Sequence, residues 1–189
     1  MGNNGNRRKM IKQWGVKIDL IYSYFPPSLW NEGTILDVGS GTGGQGLRNW
    51  IAMGVPASNC TAIDALEERL LPLKKLGCNC VALDLEDENI SNRVEETFDI
   101  IICSHLLEHI TQECEDRLLK DFVKMGSNIA ICYPKKPEIT KAGKRIKYMH
   151  RRRPHAVPIV ELFKSHFEEV TCEEVNFQMF IMAKGKKSE

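Results

Sequence analysis

Residues Ile35 to Gly46 read ILDVGSGTGGQG, an apolar run that passes through one aspartate into a turn dominated by glycine. A buried strand feeding such a turn is how a parallel α/β sheet brings its backbone against a nucleotide-like ligand. Two glycine spacings fit the loose dinucleotide pattern, Gly39-Gly41-Gly44 and Gly41-Gly43-Gly46, so the glycines alone leave the ligand open. Asp37, two residues before the first glycine, narrows it. A pyrophosphate at this loop would face a carboxylate, and like unit charges about 4 Å apart repel by roughly 4 kcal/mol at an effective dielectric of 20. A ligand carrying ammonium and sulfonium groups would be attracted by a similar amount.

Outward from this loop, strands and helices alternate. Strands are expected at Thr34 to Val38, Cys60 to Ile63, Cys80 to Leu83, Phe98 to Cys103 and Asn128 to Tyr133. Helices are expected at Gln45 to Met53, Leu66 to Leu76 and Thr111 to Lys124, with Pro72 kinking or splitting the second. This alternation implies an α/β fold, a mostly parallel sheet with helices on both faces. A helix near Pro158 to Phe167 precedes two runs, Glu169 to Val175 and Phe177 to Ala183, with only Asn176 between them. That is a hairpin signal, so the last strand should run antiparallel. Ahead of the loop, Ile11, Trp14, Ile18, Ile21 and Tyr22 recur near helical spacing in Lys9 to Tyr24, and Pro26-Pro27 ends the run. Residues 1–30 read as a helical extension that packs on a single domain formed by residues 31–189.

At 189 residues, 42% hydrophobic and 27% charged, the chain suits one globular domain with a substantial core. No apolar run reaches the roughly 20 residues that span a bilayer. The opening MGNNGNRRKM has no apolar stretch behind it, so no signal peptide is expected, and Asn6 replaces the Ser or Thr of a myristoylation site. Seven cysteines, an odd number with no CxxC pair, read as reduced thiols in a cytoplasmic protein. The net charge of +1 conceals an asymmetry. Lys135 to His155 holds nine Lys or Arg against one acid, Glu138, so this segment carries +8 and the remainder −7.

Four stretches, in order and spacing, resemble the class I S-adenosylmethionine-dependent methyltransferases over about Thr34 to Lys184: DVGSGTG at Asp37 to Gly43, AIDALEE at Ala62 to Glu68, LDLED at Leu83 to Asp87 and FDIIICSHLLEHI at Phe98 to Ile110. The resemblance implies a Rossmann-like seven-stranded sheet with an antiparallel last strand. S-adenosyl-L-methionine is the implied cofactor and S-adenosyl-L-homocysteine the product. It implies that Gly39, Ser40, Gly41, Thr42 and Gly43 admit the methionine and ribose parts, with Asp37 orienting the amino group. Asp64 would accept from both ribose hydroxyls, and Ala65 and Leu66 would flank the adenine. Asp84 would accept from the adenine amino group with Leu85 against the ring. Ser104 and His105 would lie near the methyl group.

Methyl transfer is a displacement at an already activated carbon, so the protein mainly aligns the partners and removes a proton where the nucleophile needs it. His105, Tyr133, His150 and His155 are candidates for that base by position, His155 also because related small-molecule enzymes carry a histidine ahead of the last helix. The Asp/Asn-Pro-Pro-aromatic motif of base-amino methyltransferases is replaced by Ser104-His105-Leu106-Leu107. Cys103 and Cys132 keep a covalent cysteine mechanism in view. HLLEH at His105 to His109 matches the inverted zinc-peptidase pattern, a reading that leaves the glycine loop unexplained, and no metal site is expected. A nicotinamide-dependent reductase and a non-catalytic binding protein complete the alternatives. The basic segment follows the fifth strand, on the ligand-binding edge of such sheets, with Tyr133 and Tyr148 as stacking surfaces. It suggests an anionic small-molecule acceptor, or RNA.

Overall fold

The computed structural model describes residues 17–43, 46–135 and 154–188. The start of the expected first helix and most of the basic segment, with Tyr148 and His150, lie outside these residues.

The apolar run before the glycine loop forms β1, Ile35–Val38, buried at all four positions. It lies at the centre of the sheet, as a strand apolar on both faces should. Residues 17–24 (α1) and Pro27–Glu32 (α2) precede it, and Leu47–Ala52 (α3) follows the loop. Then come β2 (Cys60–Asp64), α4 (Glu67–Lys74), β3 (Asn79–Ala82), β4 (Ile100–Ser104), α5 (Gln112–Met125), β5 (Ile129–Pro134), α6 (Ala156–His166), β6 (Phe167–Val175) and β7 (Gln178–Lys186). The seven strands pair in the order β3-β2-β1-β4-β5-β7-β6. The first five are parallel, and β7 runs antiparallel to both β5 and β6.

Pleating sends alternate residues to opposite faces. Leu36, Val38, Ile101, Cys103 and Ile131 meet Leu118 and Phe122 of α5 and Ile159 and Phe163 of α6. Ile35, Ile102 and Cys132 meet Ile21, Trp30, Trp50, Leu70 and Leu73 from α1 to α4. Trp30 holds this second layer together. Its ring stacks on Tyr22 at 5.0 Å and lies 5.2 Å from Trp50, while its indole nitrogen donates to the Tyr22 carbonyl at 2.9 Å.

Two local expectations need correction. Pro72 neither kinks α4 into two helices nor ends it: α4 begins at Glu67, so Pro72 falls in its second turn and one helix of eight residues survives. The hairpin turn is two residues long, because Phe177 joins Asn176 with positive φ (64° and 50°) and β7 starts at Gln178. That pair of angles is the turn whose twist matches the flanking strands.

Candidate functional site

Strand order reverses between β1 and β4, and in open α/β sheets ligands bind beyond the carboxyl ends of the strands at such a point. A cavity of about 140 Å³ opens there, lined by Asp37, Gly39, Ser40, Gly41, Thr42, Gly46, Trp50, Ile102, Ser104 and His105. Seven of these were expected from the sequence. Gly46, Trp50 and Ile102 were not, although Ile102 pairs with Asp37 in the sheet register and Trp50 sits one helical turn beyond Gly46.

The loop is built from backbone hydrogen bonds. Gly39 and Ser40 both donate their N–H to the Ile63 carbonyl, at 2.9 and 3.0 Å, which ties the end of β1 to β2. Gly41 has φ of 55°, and a Cβ there would meet nothing within 4 Å, so the backbone faces open space in a conformation suited to glycine. Asp64, the last residue of β2, fixes this turn: its Oδ2 accepts from Gly41 N at 2.9 Å and its Oδ1 from Leu66 N at 3.1 Å. Each carboxylate oxygen has two lone-pair sites, so Asp64 can still accept from two further donors. Ala65 and Leu66 extend from it, exposed and half-buried.

Asp37 projects to the α1–α4 face and is 5% exposed. Burial raises its carboxyl from the ordinary 3.8 to about 7, Asp64 adding to the rise while Lys17 and the backbone N–H of Leu47 oppose it. A cation in the cavity would relieve that cost.

At the end of β4, His105 adopts φ of 56°. Its Nδ1 lies 3.2 Å from Oε1 of Glu108, a fully buried residue, and its Nε2 is buried with no hydrogen-bond partner among the described residues. A carboxylate partner places the proton on Nδ1, which leaves Nε2 as the acceptor of the neutral ring. The buried indole nitrogen of Trp50 likewise lacks a partner among the described residues. His105 to His109 forms a turn and not the helix that the zinc-peptidase pattern requires, with Glu108 packed beneath both histidines.

The other expected residues stand elsewhere. Asp84 is exposed and caps its own loop by accepting from Glu86 N, and Leu85 is buried in the core. That loop is anchored to α5: Glu86 accepts from the N–H and hydroxyl of Thr111, and Arg117 donates to the carbonyls of Leu85 and Glu86. A cavity of about 140 Å³ is smaller than the roughly 300–1,000 Å³ typical of ligand sites, so it can receive one end of an extended ligand. Tyr133 is buried in the core, and His155 is exposed just ahead of α6. Neither lines the cavity. Burial pushes the Cys132 thiol to about 12 and the Cys103 thiol well above its ordinary value. Neither can supply a thiolate near neutrality.

The sequence matches the methyltransferase domain family over residues 7–179. No curated protein matches it. Among solved structures it resembles magnesium protoporphyrin IX methyltransferase from Synechocystis PCC 6803 with bound SAH, at TM-score 0.67 and 10% identity over 98% of this chain and 89% of that one. The same enzyme with bound SAM aligns at TM-score 0.63 and 11% identity, covering 97% and 86%. The PH0226 protein of Pyrococcus horikoshii OT3 aligns at TM-score 0.66 and 15% identity, covering 97% and 93%. No described helix is long and apolar enough to cross a membrane.

Proposed function

We propose, from the premise that this chain belongs to the methyltransferase domain family, that it moves the methyl group of S-adenosyl-L-methionine to an anionic small-molecule acceptor. It is a class I enzyme with that cofactor as donor and S-adenosyl-L-homocysteine as product. The observation that carries the site assignment is the pairing of two buried aspartates across the glycine loop. Asp37 supplies negative charge where the ligand's ammonium and sulfonium would enter. Asp64 holds the Gly41 turn and keeps lone pairs for ribose hydroxyls.

At the far wall, His105 Nε2 would take the acceptor's proton, with Glu108 fixing the ring by its Nδ1. The chain's own task is alignment: the loop holds the donor, and the end of β4 brings Ser104 and His105 to the transferring carbon. The anionic acceptor is inferred from the +8 segment of Lys135 to His155, which leaves the sheet at the carboxyl end of β5.

Titration calorimetry with S-adenosyl-L-methionine tests the donor site. Asp64→Ala removes an acceptor that makes charged hydrogen bonds of about 1.5–3 kcal/mol, so affinity should fall roughly 10- to 100-fold with the circular dichroism unchanged. Unchanged affinity would contradict the assignment. A screen with labelled donor against acidic metabolites and RNA tests the acceptor. Transfer to RNA with a steep loss of affinity in salt would replace the small-molecule reading.

A further inference from the structure

α1 brings a lysine to the back of the cavity. Lys17 is 1% exposed, and its Nζ donates to Ser104 Oγ at 2.9 Å. Ser104 lines the cavity beside His105. From the elements packed around it, Lys17 faces Asp37 of β1, Ser104 of β4, Glu108 of the following turn and Cys132 of β5. Behind these, Asp64 acts on Asp37, His105 bonds Glu108, and the Cys132 thiol donates to Gln178 of β7. Burial lowers the ammonium's pKa, while Cys132, Asp37 and Glu108 oppose the fall. The Cys132 thiol, pushed to about 12, is uncharged near neutrality, which leaves Asp37 and Glu108 as the carboxylates that oppose the fall among the described residues.

The donor proposed above brings a sulfonium, a fixed cation with no proton to lose. The sulfonium and the Lys17 ammonium, both beside Asp37 and Glu108, repel each other, and of these two only Lys17 can shed its charge; the ligand's own ammonium is common to the sulfonium and thioether forms. We infer that Lys17 is the proton-exchanging residue of this pocket, giving up a proton when the sulfonium enters and regaining one as the methyl group leaves. The inference rests on the proposed donor.

The cycle balances. Binding of the donor sends the Lys17 proton to solvent. In transfer, the acceptor's electron pair forms the bond to carbon, the carbon–sulfur pair returns to sulfur, and the acceptor's proton goes to His105 Nε2. With sulfur neutral, Lys17 again holds a proton more tightly and regains one from solvent, while His105 releases the acceptor's proton to solvent and is ready for another turnover. Lys17 thus acts as a positioning residue, keeping the charge of the buried cluster nearly constant while the cation moves from sulfur to nitrogen.

The test needs no acceptor. S-adenosyl-L-methionine and S-adenosyl-L-homocysteine are titrated by calorimetry at pH 8.5 in buffers of different ionisation enthalpy, where Asp37, at about 7, is already ionised. The wild-type chain should release more protons with the sulfonium ligand than with the thioether. Lys17→Met should equalise the two counts. Lys17→Arg, which cannot shed its charge, should lose affinity for the sulfonium ligand by roughly tenfold relative to the thioether and should report even where the Met variant fails to fold. Equal counts in the wild type, or a difference that survives in Lys17→Met, would overturn the inference. Binding of neither ligand would instead overturn the donor assignment, and the inference with it.

Discussion

Asp37 is a carboxylate in the middle of a sheet whose neighbouring positions are aliphatic, Ala62 on one side and Ile102 on the other. Its folded-state pKa, about 7, lies above the ordinary 3.8. The folded chain therefore holds a proton that the unfolded chain has lost across that interval. The contribution of Asp37 to stability is greatest below about 4 and falls as pH rises towards 7, by about 1.4 kcal/mol per pH unit for a single group. Asp37→Asn should flatten this part of the profile, as urea unfolding at pH 5, 6, 7 and 8 would reveal. A slope unaltered by the substitution would assign the pH dependence elsewhere. The presence of Asp37 was legible from its place before the glycines. Its perturbed titration was not, because that depends on its burial in the folded chain. Lys17 left a fainter trace, lying three residues after Trp14 and four before Ile21 on the apolar stripe of the first helix. A cation on such a stripe needs a buried counter-charge, and only the fold shows that Asp37 and Glu108 provide it.

At the scale of elements, the central strands announced themselves because they are apolar runs closed by polar or turn residues, and the observed strand bounds differ from the expected ones by at most three residues, the largest gap being at the end of β7. Helix ends were less certain. α5 starts as its cap dictates, with Thr111 accepting from Cys114 N, whereas α4 has no side-chain cap and runs from Glu67 to Lys74, one residue inside the expected start at Leu66 and two short of the expected end at Leu76. The β6–β7 hairpin was legible as a hairpin but not in its turn, since Asn-Phe is an unusual occupant of two left-handed positions where Asn-Gly is favoured. Phe177 is 74% exposed, so little packing offsets its backbone strain. Phe177→Gly should stabilise the protein by about 1 kcal/mol and raise the melting temperature by roughly 2–4 °C. A lower melting temperature would mean that the aromatic ring contributes more than its exposure indicates.

Across the whole molecule, the parallel pairing of β1 to β4 places the loops that carry the motifs at the carboxyl edge of the sheet, which is why four short stretches of sequence could point to the proposed donor site. The acceptor end was not legible, because the basic segment has no strand or helix pattern to fix it against the rest. A ligand that binds only the folded state at 100 times its dissociation constant adds about 2.7 kcal/mol, so S-adenosyl-L-methionine should raise the melting temperature by roughly 5–10 °C. NADH at the same concentration should leave it unchanged, and a shift with NADH would reopen the nicotinamide reading.

The position of β7 has a consequence in time. This strand follows the other six in the chain, yet it lies between β5 and β6, with Phe180, Ile181, Met182 and Ala183 buried. During synthesis, β1 to β5 can assemble as they emerge, but the β5 edge stays open until residues 178–186 leave the ribosome. For that interval an apolar strand edge is available to other chains. A nascent chain stalled before β7 should accordingly depend on chaperone cover, whereas one stalled well after it should not.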